Sequence, residues 1–275
     1  MDEYLSFRKI QGLTDSWIRK IRSQLINYLD YLNWTIDKKK TQEYLLLINE
    51  KQSLSSFRKK SYQIRKFLLY LKIDWANDIQ PPKEPVYYVK IITRDHISDC
   101  LLYFKKKEYC LQCNTIIHLG ASSGLRAEEL YQLTLKDIDL DKRIIHINHD
   151  PQNGQTTKTK QSRISFITKY TKDSLLKYFN YYNQNDNSKK LFPQNHISKR
   201  FRDAPIHVKD LRKYFSQEWD RRGGPTSIKK ILMGHSLKGD VDLMHYNAQS
   251  EDDLKRIYDR VMGAESNLKE GAKEY

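Results

Sequence analysis

A chain of 275 residues, 39% hydrophobic and 30% charged, has enough apolar material for one large or two modest cores. Three cysteines exclude a disulfide framework, no apolar run approaches the roughly 18 to 20 residues that cross a bilayer, and the opening MDEYLSFRKI lacks the apolar stretch of a secretory signal. The expected setting is the cytoplasm. With Lys+Arg 49 against Asp+Glu 34, a net +15, the expected partner is a polyanion, and nucleic acid is the obvious one.

Residues 1–80 hold 15 basic and 9 acidic side chains, so the positive excess is spread along the chain and is not a basic tail. This first part reads as helices. TDSWIRKIRSQLINYLDYLN carries Ile18, Ile21, Leu25, Leu29 and Leu32 at helical spacing, with possible caps between Thr14 and Ser16. A short helix is expected over TQEYLLLINE and a third over SSFRKKSYQIRKFLLYLK. The third has an apolar stripe of Phe57, Ile64, Phe67, Leu68 and Leu71, and an opposite face with Arg58, Lys59, Lys60, Arg65 and Lys66, the candidate DNA contacts.

Three prolines, Pro81, Pro82 and Pro85, then interrupt the pattern and mark a linker. The expected division is a helical domain over 1–78, a linker over 79–92, a second domain over 93–263 and a tail over 264–275. In the second domain, ITRDHISDCLLYF, EYCLQCNTIIHLGASS and AEELYQLTL read as helices. Cys110 and Cys113 form a C-x-x-C on the middle one, where two half-buried helical thiols are the better reading than a metal or redox pair. RIIHINH and RISFITK read as a β-hairpin with a long polar tip containing Asn153-Gly154. Helices resume from about Lys172 to Asn183 and from about His207 to Arg222, where Gly223 and Gly224 stop the chain and Pro225 suits the next helix start. SEDDLKRIYDRVM reads as the last helix.

Four separated stretches of the second domain line up: GLRAEEL with Arg126, TKTKQSR at the hairpin, KDLRKYF with Lys209 and Arg212, and GHSLKGDVDLMHY with His235 and Tyr246. Their order resembles the tyrosine recombinase (phage integrase) family, whose catalytic domain carries Arg, Lys, His-x-x-Arg, His or Trp, and Tyr in that sequence. The resemblance implies a mainly α protein with a small antiparallel hairpin or sheet: a helical core-binding domain that clamps DNA, followed by an α+β catalytic domain. It implies cleavage and rejoining of double-stranded DNA through a covalent 3′-phosphotyrosyl intermediate, without metal, ATP or other cofactor. It also implies a homotetramer on DNA, assembled from a protein that is monomeric when free, with residues 250–263 exchanged between neighbours. Such a protein would associate with the nucleoid.

The resemblance assigns each residue a role that its chemistry supports. Arg126 and Arg212 are guanidinium forks suited to the non-bridging oxygens of a phosphodiester. Glu129, three residues after Arg126, would orient the network from behind. A hairpin lysine, Lys160 or alternatively Lys158, would protonate the leaving 5′ oxygen. His235 would donate a hydrogen bond to the phosphate, and Tyr246 would be the nucleophile, with Tyr258 its only nearby rival. One position departs from the family pattern. Lys209 stands where most members have histidine, as in a subset of archaeal-virus integrases; His207 is near, but 209 and 212 share a helix face and 207 does not. The expected activity is integration or excision of a mobile element. A Xer-type dimer resolvase, a type IB-like topoisomerase and a non-catalytic DNA-binding relative of the same fold remain as alternatives.

Overall fold

The computed structural model describes residues 1–84, 86, 88–182, 189–235 and 249–263, and the chain divides into two compact units, Met1–Val89 and Lys90–Tyr275. Residues 236–245, between His235 and the expected nucleophile, and Tyr246 itself lie outside the described residues.

The first unit contains α1 (Asp2–Ile10), α2 (Asp15–Tyr31), α3 (Lys38–Lys51) and α4 (Leu54–Tyr70). Ile21, Leu25, Tyr28 and Leu29 of α2 meet Ile64, Phe67 and Leu68 of α4 in a single core. The caps follow local chemistry: the Asp37 carboxylate accepts from Lys40 N at 2.7 Å to start α3, and Ser53 Oγ accepts from Ser56 N at 3.4 Å to start α4. The sequence reading missed α1. It is short and polar on average, and it is held by Tyr4 and Leu5, with the Tyr4 ring 5.3 Å from that of Phe67 in an edge-on contact. Arg58 donates through Nε to Pro82 O at 3.0 Å, and Ile79 packs on the core, so the chain stays attached to this unit past residue 78.

The second unit is built around α6 (Cys110–Ser123), buried on nearly every side from Thr115 to Ser123. It contacts α5 (Arg94–Phe104), α8 (Lys169–Tyr181) and α10 (Val208–Arg221). A helix buried on every side, as TIIHLGASS is, belongs in the centre of a domain. Burial pushes the Cys100 thiol up to about 11 and the Cys113 thiol up to about 12, so both are protonated core residues. The chain enters this unit along α10: Ile92 N donates to Gln217 Oε1 at 2.8 Å, and Arg94 pairs with the buried Glu218 at 2.9 Å.

β1 (Ile138–Asp139), β2 (Ile144–Ile147) and β3 (Arg163–Phe166) form an antiparallel sheet in the order β1-β2-β3, with Ile147 opposite Arg163 where the β2–β3 hairpin opens into its tip. β1 and α9 (Gln194–Arg200) were not anticipated; one is two residues long and the other rests on a single buried residue, Ile197. α7 (Ala127–Gln132) ends earlier than expected, because Leu133 turns extended and its carbonyl accepts from Leu191 N at 2.9 Å.

α11 (Thr226–Met233) and α12 (Glu251–Met262) close the unit over Phe166, Phe215 and Trp219. Leu254, Tyr258, Val261 and Met262 of α12 are all buried in this core. Among the described residues no helix is long and apolar enough to cross a membrane.

Tyr258 is fully buried and donates to Ser122 O at 2.8 Å, and burial holds its phenol far above the usual range, so it cannot serve as an ionisable nucleophile here. Tyr258→Phe removes that donor without changing shape and should lower unfolding stability in urea by about 1 to 2 kcal/mol. An unchanged midpoint would show that the hydroxyl contributes nothing net.

Candidate active site

The site is assembled from the ends of elements. α6 stops at Gly124, whose φ of +66° is left-handed; a Cβ there would run into the Phe215 ring, so both conformation and space require glycine. The turn aims Gly124 O at Arg212, which donates through Nη1 at 2.7 Å from the second turn of α10. Two residues later Arg126 caps α7, and its backbone N donates to Glu129 Oε2 at 2.8 Å, the reach-back of a capping box. Its side chain donates through Nη1 to Glu129 Oε1 and through Nη2 to Gly234 O, both at 2.9 Å.

α11 ends in a Schellman turn: Gly234 N donates to Ile231 O and His235 N to Lys230 O, each at 3.0 Å, with Gly234 at φ +61°. Two remaining carbonyls of this helix end, Leu232 O and Gly234 O, are taken by guanidinium groups. Cations are favoured at a helix C-terminus, so the arginines and the helix end stabilise each other.

Arg163, the first residue of β3, is the member that sequence reading missed. It donates from Nη1 to Glu129 Oε1 at 3.0 Å, from Nη2 to Glu129 Oε2 at 2.7 Å and from Nε to Leu232 O at 2.9 Å. The Glu129 carboxylate, 4% exposed, therefore serves two guanidinium groups. Burial alone would raise its pKa, but the bonds and charge of Arg163, followed by those of Arg126, outweigh burial and hold it below its ordinary 4.5. Arg212 is drawn down to about 10, first by burial and then by the charge of Arg126, and it stays protonated at neutral pH. His235, open to solvent on one side, is held below its usual range by partial burial and then by Arg212 and Arg126. At pH 7 it is a neutral imidazole with one N–H to donate.

The hairpin tip is fastened at its base. Buried Asp137 accepts from Gln155 Nε2 at 2.9 Å and Asn148 Nδ2 at 3.1 Å, while Thr156 N donates to Gln132 Oε1 at 2.7 Å. Thr157 Oγ1 accepts from Gln161 N at 3.1 Å and closes a turn whose exposed residues include both Lys158 and Lys160. Lys160 takes a left-handed φ of +56°, uncommon for a side chain with Cβ. Lys209 is exposed one turn before Arg212 on α10. His207 lies outside that helix as its cap, with Nδ1 donating to Phe201 O at 3.2 Å.

Away from this site, in the first unit, α2 and α4 border a groove of about 570 Å³ lined by Trp17, Lys20, Gln24, Arg58, Lys59, Tyr62 and Gln63. Of the five basic residues expected to meet DNA, Arg58 and Lys59 line it. Lys66 stacks over Tyr62, 4.7 Å from the ring centre. Lys60 does not line the groove, and Arg65 turns to Asn77 Oδ1 at 3.5 Å.

The phage integrase family model matches residues 90–252, a span that contains all four stretches identified above, and the chain belongs to that family. It is a tyrosine site-specific recombinase. Two relatives are each named tyrosine recombinase XerA. That of Thermococcus kodakarensis is 22% identical over 250 residues, 88% of this chain and 83% of its own length. That of Saccharolobus solfataricus is 29% identical over 184 residues, 62% of this chain and 59% of its own length. A lambda integrase dimer bound to a COC′ core site matches with a TM-score of 0.63 at 13% identity, over all of this chain and 95% of that one, a likeness of fold.

Glu129→Gln would leave two buried guanidinium groups with no anion, and unfolding stability near neutral pH should fall by about 3 to 5 kcal/mol. The depressed pKa gives a sign: the carboxylate's contribution is present above about 4.5 and is lost as pH falls through the lower folded value. The gap between wild type and variant, followed by denaturant unfolding, should narrow in acid; a gap constant with pH would contradict an ionised Glu129.

Proposed function

We propose that this recombinase cleaves DNA with Tyr246 while Arg126, Arg212 and His235 hold the scissile phosphate, and that it integrates or excises a mobile element. The supporting observation is that Arg126 and Arg212, from helices far apart in sequence, are anchored by glycine carbonyls and act on His235, in a cluster where, among the described residues, one carboxylate meets three guanidinium groups. Such a cluster, among the described residues, is short of negative charge, and a phosphate oxygen would supply it.

In the proposed step the Tyr246 oxygen attacks phosphorus, the bond to the 5′ oxygen breaks, and a 3′-phosphotyrosyl ester remains. Lys160 or Lys158 gives the leaving 5′ oxygen its proton. The tyrosine proton passes to a phosphate oxygen or water, because Lys209, in the usual histidine place, acts as a fixed charge and not as a base near neutral pH. A 5′ hydroxyl from another strand reverses the reaction and completes exchange without ATP. Glu129 serves by fixing the Arg126 guanidinium.

The groove of the first unit suits duplex DNA: Lys20, Arg58 and Lys59 supply charge, and Trp17 and Tyr62 supply apolar surface against the sugar-phosphate edge. The reading includes a clamp formed by both units on one duplex and a homotetramer on paired sites, assembled from free monomers. That both relatives are named XerA favours a second reading, resolution of dimers, within the same chemistry. Efficient exchange between sites on separate molecules supports integration; exchange confined to sites within one dimeric circle supports resolution.

Incubation with a nicked suicide duplex tests the nucleophile. Wild type should form a covalent adduct, Tyr246→Phe should form none while binding DNA as tightly, and an adduct that survives would remove Tyr246 from its role. On the same substrate Lys209→His should keep appreciable activity and Lys209→Ala should lose most of it, on the order of 100-fold. An alanine variant as fast as wild type would show that the lysine does nothing in catalysis.

A further inference from the structure

We propose that Arg163 is a positioning residue for strand cleavage: it splints the strand that opens the hairpin tip to α7 and α11, and so holds Arg126 and His235 in one frame. The inference rests on the reading that those two side chains bind the scissile phosphate.

Three observations carry it. Arg163 engages both Glu129 oxygens, and each of those oxygens also accepts from Arg126, one from the guanidinium and one from the backbone. The orientation of Arg126 is therefore set through a carboxylate that Arg163 grips in a bidentate fork. The Nε bond to Leu232 O reaches the last turn of α11, three residues before His235. The third contact is steric. A Cβ on Gly234 would come within 2.7 Å of Arg163 Cδ, 2.8 Å of Nε and 2.9 Å of Cζ, so the guanidinium stem lies flat beneath the turn that presents His235.

The geometry also separates Arg163 from a phosphate ligand. Its side chain is 9% exposed, and Nε, Nη1 and Nη2 all donate inward. Arg126, at 18%, has its Nε hydrogen uncommitted to any of these partners. Arg163 thus acts through its neighbours. Lysine could keep the charge, but one ammonium cannot span both carboxylate oxygens and Leu232 O in a single plane.

The test uses the full-length protein and the nicked suicide duplex, with Arg163→Lys and Arg163→Gln. Three quantities are read: the single-turnover rate of adduct formation at saturating DNA, DNA affinity by fluorescence anisotropy, and the pH profile of the rate. Both variants should lose rate on the order of 10- to 100-fold, with affinity within about threefold of wild type. The charge of Arg163 also bears on His235, after partial burial and the charges of Arg212, Arg126 and Lys229. Its removal in Arg163→Gln should move the acid limb of the profile to higher pH, and Arg163→Lys should leave that limb in place. A residue that only stabilises the fold would lower the melting temperature and leave rate and acid limb as in wild type at a permissive temperature. That result overturns the proposal, as does a loss confined to DNA affinity. If Arg163→Gln does not fold, Arg163→Lys decides on the split between rate and affinity. Wild type provides the control: no adduct from wild type overturns the functional reading along with this one, whereas a wild-type adduct matched in rate by Arg163→Lys overturns the role of Arg163 alone.

Discussion

A single buried carboxylate, Glu129, is shared between Arg126 and Arg163, and the second unit's functional end depends on it. Taking charges out of water is expensive, and an ion pair offsets that expense only when its geometry is good and its remaining hydrogen-bonding groups are satisfied. Here the geometry is good and the carboxylate is fully served. The two carboxylate oxygens accept four bonds, and one further donor of each guanidinium finds Leu232 O or Gly234 O. Among the described residues the charge count is unbalanced toward positive, and Arg212 is drawn down to about 10 by burial first and by the charge of Arg126 second.

The second organising feature is the use of helix C-termini as ligands for arginine. α6 and α11 both end in left-handed glycines, and each offers a carbonyl that its own helix cannot satisfy. Gly124 O binds Arg212 and Gly234 O binds Arg126, so the turns that terminate the helices also aim the guanidinium groups. Neither turn tolerates a side chain: Phe215 fills the space at one and Arg163 at the other. Local chain geometry and side-chain placement are the same event at these two points.

Much of this could be read from the residues. Amphipathic spacing located α2 and α4, glycine and proline bounded α10, and the turn residues located the hairpin and its long tip, because those signals are local and strong. The short elements α1, α9 and β1 were not legible; each is held by tertiary contacts and not by its own pattern. Order and spacing of motifs brought Arg126, Arg212 and His235 to attention. Arg163 passed as one more base in TKTKQSR, since nothing in a sequence says which basic residue of a strand turns inward to a buried glutamate. Trp17 and Tyr62 escaped for a similar reason: aromatics on an amphipathic helix look like core until the groove between α2 and α4 is in view. The basic face of α4 was read as one surface, yet Arg58 and Arg65 are partly committed to Pro82 and Asn77.

The residues alone determined the helical class, the hairpin, the basic character and the family motif, because these depend on periodicity, turn chemistry and order along the chain. They also separated Lys209 from His207, since helical register is a local property. Only the tertiary structure decided that Tyr258 is hydrogen-bonded to Ser122 and that Glu129 joins two arginines from elements far apart in sequence. Burial and the pairing of buried charge depend on which segments meet, and a linear pattern does not specify that meeting.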